Sequence, residues 1–247
     1  MVEPGGGAED ELGKRTHGVN PPGRRPRHRG GGAPLPVKVR GQTRPRPADA
    51  IADAGSPSAT EVAGLLLAAG AGRRFGGPKA LAVLDGEPFV VRALRVLTDA
   101  GCAPVRVVLG ASAAEVRALL PDPETAVVAE DWESGMGASL RAGLRALTGT
   151  DAEAAVVHLV DLPGVGADVV RRVAAGADES TVARAAYEGV PGHPVVLGRR
   201  WWPEIVAGAS GDKGARDWLK GREDLRLVEC GDLGSGHDVD RREDLPG

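Results

Sequence analysis

A glycine-rich segment between residues 64 and 79 carries the side chains best suited to phosphate chemistry. An apolar run passes into Gly70 and Gly72, two arginines follow, and the segment ends on Lys79. Glycine lets a backbone approach an anion closely and adopt positive φ without a steric clash. The N–H groups of such a loop can form a concave anion site, to which arginine and lysine add positive charge. The segment therefore predicts a cradle for a triphosphate.

Two familiar phosphate motifs do not fit this segment. A Walker A loop reads G-x-x-x-x-G-K-[ST], but here Gly77 is followed by Pro78-Lys79-Ala80, which offers no hydroxyl for magnesium. A dinucleotide-binding fingerprint reads G-x-G-x-x-G, whereas Gly70, Gly72 and Gly76 are spaced G-x-G-x-x-x-G. The alternative to a phosphate site is a glycine-rich turn whose arginines are solvated and have no functional role.

A carboxylate follows a second apolar run. Residues 156–160 read Val-Val-His-Leu-Val, Asp161 comes next, and Pro163 ends the extended pattern. Magnesium prefers one or two carboxylates together with phosphate oxygens and waters. Asp161 is therefore a candidate metal ligand, and a turn-capping aspartate is the alternative. His158, inside the apolar run, is expected to be a buried residue with its hydrogen bonds satisfied.

Three motifs together carry a family resemblance. Leu67–Lys79 matches L-A-A-G-x-G-x-R-x-G-x-x-K, residues 192–197 match G-H-P-V-x-[FL], and residues 211–216 match G-D-x-G-A-R. The chain resembles the nucleotidyltransferases that activate sugars, alcohols and cofactors. Within them it resembles the molybdenum-cofactor (molybdopterin) nucleotidyltransferases, particularly the cytidylyltransferase branch. The resemblance extends over residues 62–245.

The resemblance implies a nucleotide site and a metal site. Residues 238–245 resemble the family ending D-[IV]-D-T-P-E-D-L, which implies that Asp240 and Asp161 share one Mg²⁺ or Mn²⁺. Arg241-Arg242 stands there in place of Thr-Pro. The resemblance places Arg74, Lys79 and Asp161 at the catalytic positions, where Arg74 and Lys79 are expected to bind the triphosphate. The implied nucleotide-binding residues are Leu67, Ala68, Ala69, Gly70, Gly72, Arg74 and Lys79.

The resemblance also implies an acceptor site. Residues 129–140 resemble N-P-x-W-x-x-G-M-x-x-S-L, with Ala129 where the family has asparagine. The glycine-rich entry to the following helix suits an anion, because N-terminal N–H groups can hold a phosphate. For Trp132 and Met136 the alternative is packing on the core, and for His193 the alternatives are a proton shuttle and a structural role. The implied acceptor residues are Trp132, Gly135, Met136, Ser139 and His193.

The alternation of apolar runs and helical patterns predicts an α/β domain. Strands are expected at residues 62–68, 105–109, 127–128 and 154–160, with helices at 88–100, 113–120 and 138–147 between them. Such an order requires right-handed crossovers and a mostly parallel sheet that is buried on both faces. A hairpin is expected at 183–197 around residues 188–192, then short helices at 201–206 and 214–219 and a strand at 225–228. The fold class expected is a Rossmann-like three-layer sandwich with a mostly parallel mixed sheet, which the resemblance identifies as glycosyltransferase A-like.

The composition divides the 247-residue chain into two parts. Glycine and proline make up a third of residues 1–58. The net charge of these residues is +4 and that of the whole chain is −3, so residues 59–247 have a net charge of −7. We expect residues 1–58 to be a disordered basic tail, because such a composition cannot bury an apolar core, and residues 59–247 to be the nucleotidyltransferase domain. Contact of the tail with RNA or anionic lipid is the alternative to a solvated tail. The acidic domain argues against nucleic acid as the main partner.

The remaining composition points to a cytoplasmic protein. Cys102 and Cys230 support neither a disulfide framework nor a zinc site. The sequence has no secretory pattern and no run apolar enough to span a membrane. We therefore expect a cytoplasmic enzyme with no membrane contact.

The resemblance implies transfer of CMP from CTP to the terminal phosphate of a molybdopterin-type cofactor, with release of pyrophosphate. A transient contact with a molybdenum hydroxylase fits such a product. Guanylyl transfer to the same acceptor, or nucleotidyl transfer to phospholactate or a sugar phosphate, are the alternatives within the class. A non-catalytic chaperone for cofactor insertion and a dinucleotide-dependent oxidoreductase are the alternatives from other classes.

Overall fold

The computed structural model describes residues 61–245, and the expected tail at residues 1–58 lies outside this range. The described residues form nine strands: β1 (Val62–Ala68), β2 (Val83–Leu84), β3 (Glu87–Pro88), β4 (Val105–Leu109), β5 (Ala126–Val128), β6 (Ala154–Leu159), β7 (Val182–Tyr187), β8 (Val190–Gly198) and β9 (Arg226–Glu229). They also form six α-helices: α1 (Phe89–Asp99), α2 (Ala113–Arg117), α3 (Met136–Leu147), α4 (Ala167–Ala174), α5 (Trp202–Gly208) and α6 (Arg216–Leu219).

Seven of these strands form one sheet in the order β5-β4-β1-β6-β8-β7-β9. The pairs β4–β5, β1–β4, β1–β6 and β7–β9 are parallel, and β8 pairs antiparallel with both β6 and β7. One strand, β8, therefore runs against the other six. The mostly parallel mixed sheet of the expected fold class is confirmed.

The sheet lies between two apolar layers because its central strands are hydrophobic on both faces. In β1 every residue after Val62 is buried. Leu66 faces a cluster that includes residues of α1 and α4, whereas Leu65 and Leu67 face a cluster with α3 and α5. Continuous apolar strands are typical of parallel sheets covered by helices on both sides. The result is the expected three-layer sandwich.

The sequence patterns located most elements correctly, with three omissions and one shifted turn. Helix α4 and the two-residue strands β2 and β3 were not predicted. The hairpin turn consists of Glu188 and Gly189 alone, since Tyr187 already pairs with Val190. Both turn residues have positive φ, as a two-residue hairpin loop requires, so Gly192 lies within β8 instead of in the turn.

The sheet topology brings the ends of several strands to one rim. The six strands that share a direction place their carboxyl ends there, and β8, being reversed, places its first residues at the same rim. Ligands of open α/β sheets bind outside the carboxyl ends of the strands.

None of the helices formed by residues 61–245 has the length and hydrophobicity that crossing a bilayer requires.

Candidate functional site

The loop after β1 is a compact turn closed by its own backbone. The N–H groups of Phe75, Gly76 and Gly77 all donate to the carbonyl oxygen of Gly72 at 2.9–3.1 Å. Gly72 has a φ of +59°, and a Cβ there would overlap the carbonyl oxygen of Gly77. Phe75 is buried with Leu84, Phe89 and Val239. Glycine is thus required at residue 72, and a buried aromatic ring anchors the loop.

Two cations of this loop contact two carboxylates from distant parts of the chain. Lys79 donates from Nζ to Asp161 and to Asp240, each at 2.8 Å, and Arg74 donates to the other oxygen of Asp240 at 2.8 Å. The Lys79 side chain is 14% exposed and that of Arg74 is 76% exposed. The structure therefore brings all four residues expected at the catalytic and metal positions into one cluster.

The ion pairs shift the protonation equilibria towards the charged forms. Burial acts to lower the pKa of Lys79, but its hydrogen bonds to Asp161 and Asp240 and their charges outweigh burial, so the pKa rises. The hydrogen bond from Lys79 and its charge lower the pKa of Asp240. Lys79 is thus an ammonium and Asp240 a carboxylate at neutral pH.

A third carboxylate, Asp238, belongs to this cluster and was not assigned from the sequence. Oxygen atoms of Asp161, Asp238 and Asp240 all lie within 4.8 Å of one another. Between the two C-terminal aspartates, Val239 is buried and its N–H donates to the carbonyl oxygen of Asp161 at 3.0 Å. In the sequence, the alternation Asp-Val-Asp is the pattern that indicates Asp238 as a second carboxylate beside Asp240. Three hard oxygen ligands in this arrangement fit a divalent cation such as Mg²⁺ or Mn²⁺.

Arg74, Lys79, Asp161 and Asp240 line an open cleft of about 610 Å³, and Asp238 is not among its lining residues. Ala68 and His193 are not among its lining residues, although both are expected site residues. The cleft is lined by Leu67, Ala69, Gly70, Ala71, Gly72, Arg73, Arg74, Lys79, Trp132, Glu133, Gly135, Met136, Ser139, Leu159, Val160, Asp161, Asp212 and Asp240. The expected nucleotide, metal and acceptor residues thus largely share one cavity, and Arg73, Glu133 and Asp212 add charges that sequence reasoning did not place there.

The wall opposite the glycine-rich loop is formed where α3 begins. Gly135 precedes the helix with a φ of +109°, and a Cβ there would overlap Gly211. A Cβ on Gly137 would lie 2.6 Å from the backbone nitrogen of Ser210. Residues 209–214, which we call the acceptor-side loop, therefore pack directly on the first turn of α3. Ala129, where the family has asparagine, is buried and is not among the residues that line the cleft.

The two histidines singled out in the sequence lie in neighbouring strands. His158 is buried as expected, but its Nδ1 has no hydrogen-bond partner among residues 61–245, so the expectation of a satisfied histidine was wrong. Burial lowers its pKa to about 4. Burial, followed by the charges of Arg184, His158 and Arg216, lowers the pKa of His193 to about 3. Both imidazoles are neutral at physiological pH, which disfavours a proton shuttle at His193.

Comparison with known proteins agrees with the geometry of the cleft. A model of the MobA-like NTP transferase domain matches residues 64–227. This chain belongs to that family. Among curated relatives, nicotine blue oxidoreductase from Paenarthrobacter nicotinovorans is 39% identical over 200 residues, 74% of this chain and 94% of the relative. Molybdenum cofactor guanylyltransferase from Rhodobacter capsulatus is 38% identical over 125 residues, 47% of this chain and 59% of the relative.

Solved structures of related proteins share the fold. A Mycobacterium sp. strain JC1 homologue of Mycobacterium tuberculosis Rv0371c is 30% identical, with a TM-score of 0.64 over 74% of this chain and 92% of that one. Rv0371c from M. tuberculosis H37Rv in complex with manganese is also 30% identical, with a TM-score of 0.58 over 69% of this chain and 88% of that one. The nucleotidyltransferase fold of the MobA-like family is thereby confirmed for this chain.

Proposed function

We propose that this protein transfers a nucleoside monophosphate from a nucleoside triphosphate to a phosphorylated small molecule and releases pyrophosphate. The observation that carries the proposal is the convergence of Arg74, Lys79, Asp161 and Asp240 beside a glycine-rich loop in one cleft. Membership of the MobA-like family supports it.

In this reaction an oxygen of the acceptor phosphate attacks the α-phosphorus, and the bond from that phosphorus to the bridging oxygen of the β-phosphate breaks. The new phosphoanhydride joins the nucleotide to the acceptor, and the electron pair leaves with pyrophosphate. Lys79 and Arg74 are placed to contact the triphosphate and to stabilise the charge that develops on pyrophosphate. The N–H groups of Phe75, Gly76 and Gly77 are used within the loop, whereas those of Gly70 and Gly72 are placed to orient the nucleotide. Catalysis then rests on positioning and charge neutralisation.

Asp161, Asp238 and Asp240 would hold a divalent cation, Mg²⁺ or Mn²⁺. When bound, such an ion neutralises charge on phosphate oxygens. The manganese complex of the related Rv0371c supports a divalent ion in a protein of this fold. Asp240 also anchors Arg74 and Lys79, so the carboxylates orient the cations that face the triphosphate.

For the substrates we propose CTP and the terminal phosphate of a molybdopterin-type cofactor. The L-A-A-G loop and the motifs at residues 192–197 and 211–216 support this choice. GTP is the alternative nucleotide, supported by the relative named molybdenum cofactor guanylyltransferase. Phospholactate and sugar phosphates are alternative acceptors. We also propose that the protein acts in the cytoplasm and passes its product to a molybdenum hydroxylase.

A nucleotide panel tests the proposal. CTP, GTP, ATP and UTP are each supplied with Mg²⁺ and molybdopterin, and pyrophosphate release is measured together with the thermal shift that each nucleotide produces. We expect pyrophosphate release with CTP that requires both metal and acceptor. Faster pyrophosphate release with GTP than with CTP would change the proposed nucleotide to GTP and leave the proposed reaction unchanged. If no nucleotide gives pyrophosphate release but the protein still binds the cofactor, a cofactor-insertion chaperone would replace the enzyme as the proposed function.

A second candidate function is reduction of a small conjugated substrate by a reduced nicotinamide dinucleotide. It is favoured by the 39% identity to a relative named nicotine blue oxidoreductase. The three clustered carboxylates argue for phosphoryl chemistry instead, because hydride transfer needs no divalent cation. Absorbance of NADH and NADPH, followed with a quinone-like dye as acceptor, separates the two functions. Dye-dependent oxidation without pyrophosphate release from any triphosphate would favour the oxidoreductase.

A further inference from the structure

Two unpaired carboxylates line the cleft at the wall where α3 begins. Glu133 lies shortly before this helix, and Asp212 lies in the acceptor-side loop. Among residues 61–245, neither side chain forms an ion pair with a lysine, an arginine or a histidine. The basic residues that line the cleft, Arg73, Arg74 and Lys79, all belong to the glycine-rich loop. The charges of the cleft are therefore divided, with the cations at the loop and the unpaired carboxylates at the beginning of α3.

Asp212 places its charge beside the N-terminus of α3. Gly135 is the residue that precedes this helix, and a Cβ on Gly135 would lie 2.6 Å from Oδ1 of Asp212. The first N–H groups of a helix have no partner within the helix and carry partial positive charge, which a carboxylate neutralises. Asp212 thus supplies negative charge where an anionic group of a ligand would otherwise lie. This arrangement differs from the sequence-based expectation of an anion here, and it favours a ligand group that donates hydrogen bonds.

A buried hydroxyl on the same face of the helix has no partner. Ser139 is only 5% exposed, yet it lines the cleft. Within residues 61–245, its hydroxyl takes part in no hydrogen bond. Ser139 follows Met136 by three residues and Gly135 by four, so it lies on the face of α3 that Asp212 approaches. Because buried polar groups are normally hydrogen-bonded, an unpartnered hydroxyl at a cleft points to a ligand that completes the bond.

Apolar side chains lie beside these polar groups. Trp132 and Met136 are half-buried, pack against the core cluster under α3, and line the cleft. A Cβ on Gly110 would lie 2.5 Å from Cγ of Trp132, so glycine just after β4 lets the indole pack closely on the sheet. Indole and thioether groups both make favourable contacts with flat rings. The wall thus combines apolar surface that suits a ring with groups that accept hydrogen bonds.

We propose that this wall binds a flat nitrogen heterocycle that bears N–H donors and forms the end of the acceptor remote from its phosphate. We call the residues that form it the carboxylate wall: Trp132, Glu133, Met136, Ser139 and Asp212. The ring donates hydrogen bonds to the two carboxylates, contacts the indole and the thioether, and bonds to the serine hydroxyl. The acceptor phosphate lies towards the cations of the glycine-rich loop, where the reaction needs it. The assignment of the ring to the acceptor rests on the proposed function, whereas the preference of the wall for N–H donors does not.

Pterin and lumazine test the carboxylate wall without nucleotide or metal. The two flat rings are of the same size, but pterin carries an amino group where lumazine carries an oxygen. Each ring is titrated with the full-length protein, and the fluorescence anisotropy of the ring measures binding. We expect pterin to bind more tightly than lumazine by about 10-fold or more, since a hydrogen bond to a charged carboxylate is gained.

Two variants remove the charges of the wall and keep the size of the side chains. Asp212→Asn and Glu133→Gln should each weaken pterin binding by about 10-fold and leave lumazine binding nearly unchanged, so that the preference shrinks. Glu130→Gln, at an exposed residue that does not line the cleft, is the matched control and should bind both rings as the wild type does. Circular dichroism verifies that each variant is folded.

The outcomes separate the carboxylate wall from the proposed reaction. Equal binding of the two rings, no binding of either ring, or a pterin preference that survives in both variants would overturn the proposal. A pterin preference in a protein that releases no pyrophosphate would keep the carboxylate wall and reject only the proposed function. In turnover, both variants should raise the KM for the acceptor and leave the KM for the nucleotide unchanged.

Discussion

Lys79 and Arg74 contact the same carboxylate, Asp240, from very different environments. Lys79 is largely shielded and bridges two carboxylates, whereas Arg74 is mostly exposed and contacts one. A shielded charge is screened less by solvent, so its contacts are worth more. At the residue scale, Lys79 is therefore the shielded cation of the cleft and Arg74 the exposed one.

Replacing either cation should impair catalysis without unfolding the protein. We expect Lys79→Ala and Arg74→Ala each to slow pyrophosphate release by at least about 100-fold, because donors in a preorganised site each contribute roughly 3 kcal/mol to the transition state. Circular dichroism checks folding, and Arg145→Ala, an exposed arginine of α3 that does not line the cleft, is the control. Near-normal turnover in both variants would contradict the proposal that Lys79 and Arg74 bind the triphosphate.

The three carboxylates should act as one metal site. Replacing Asp161, Asp238 or Asp240 by Asn removes a charge that the ion requires, so each change should weaken Mn²⁺ binding measured by electron paramagnetic resonance. Because the three act through one ion, the Asp161→Asn/Asp240→Asn double variant should be little worse than the weaker single variant. Losses that multiply would instead indicate independent roles. Molybdopterin binding, which we place at the opposite wall, should survive all of these changes.

The buried histidines should make the protein sensitive to mild acid. The pKa of His158 in the folded protein, about 4, lies below its ordinary value of 6.5, and that of His193 is lower still. The unfolded chain therefore binds protons first, and stability falls as the pH drops from about 6.5 towards 4, by up to about 1.4 kcal/mol per pH unit for each histidine. Urea unfolding between pH 7 and pH 5 measures this slope.

His158→Leu should reduce the acid sensitivity by the share of one histidine. At pH 7 the variant should be at least as stable as the wild type, because the unpartnered Nδ1 is removed. An unaltered slope in His158→Leu would mean that the histidine is hydrogen-bonded through a group such as a buried water.

At the scale of elements, local patterns located the strands that are long and apolar and failed where partners are distant. β1, β4 and β6 were predicted because burial on both faces makes them continuous hydrophobic runs. Helix α4 was missed although Val169, Val170 and Val173 have helical spacing. The position of β8 between β6 and β7 depends on pairing across thirty residues of chain, which no local pattern encodes.

The same distinction holds for the site. Arg74, Lys79 and Asp161 were identified because each stands in a short motif at the end of a strand. The sequence did not assign Asp238, because the resemblance places only Asp240 of this pair at the metal. The approach of Asp161 to both C-terminal aspartates is created by the fold across more than seventy residues of chain, which no local pattern encodes.

The close approach of α3 to the acceptor-side loop gives a prediction at this scale. A Cβ on Gly137 would lie 2.6 Å from the nitrogen of Ser210, so Gly137→Ala must displace the loop. We expect a stability loss of about 1–3 kcal/mol and a raised KM for the acceptor, with nucleotide binding unchanged. Gly208→Ala, where a Cβ would meet no atom within 4 Å, is the control, and equal behaviour of the two variants would contradict the prediction.

At the scale of the whole molecule, the charge of the chain is divided unevenly. Residues 1–58 carry a net +4 and residues 59–247 a net −7. The glycine- and proline-rich composition of the first part offers too little apolar surface to offset the entropy of ordering. We propose that the remaining residues suffice for folding and catalysis.

A shortened chain that begins at residue 59 tests this proposal. Its melting temperature and its rate of pyrophosphate release should equal those of the full chain. A control in which the arginines of residues 24–29 are changed to glutamine in the full-length protein separates charge from length. A lower melting temperature or rate in the shortened chain would mean that the first 58 residues contact the domain.

The reversal of β8 marks a boundary in where the clustered charges of the cleft come from. Arg74 and Lys79 follow β1, Asp161 follows β6, and Asp240 lies in the segment after β9. The β7–β8 hairpin contributes none of these four side chains. We therefore expect the hairpin to accept substitutions during evolution while the charge cluster stays intact.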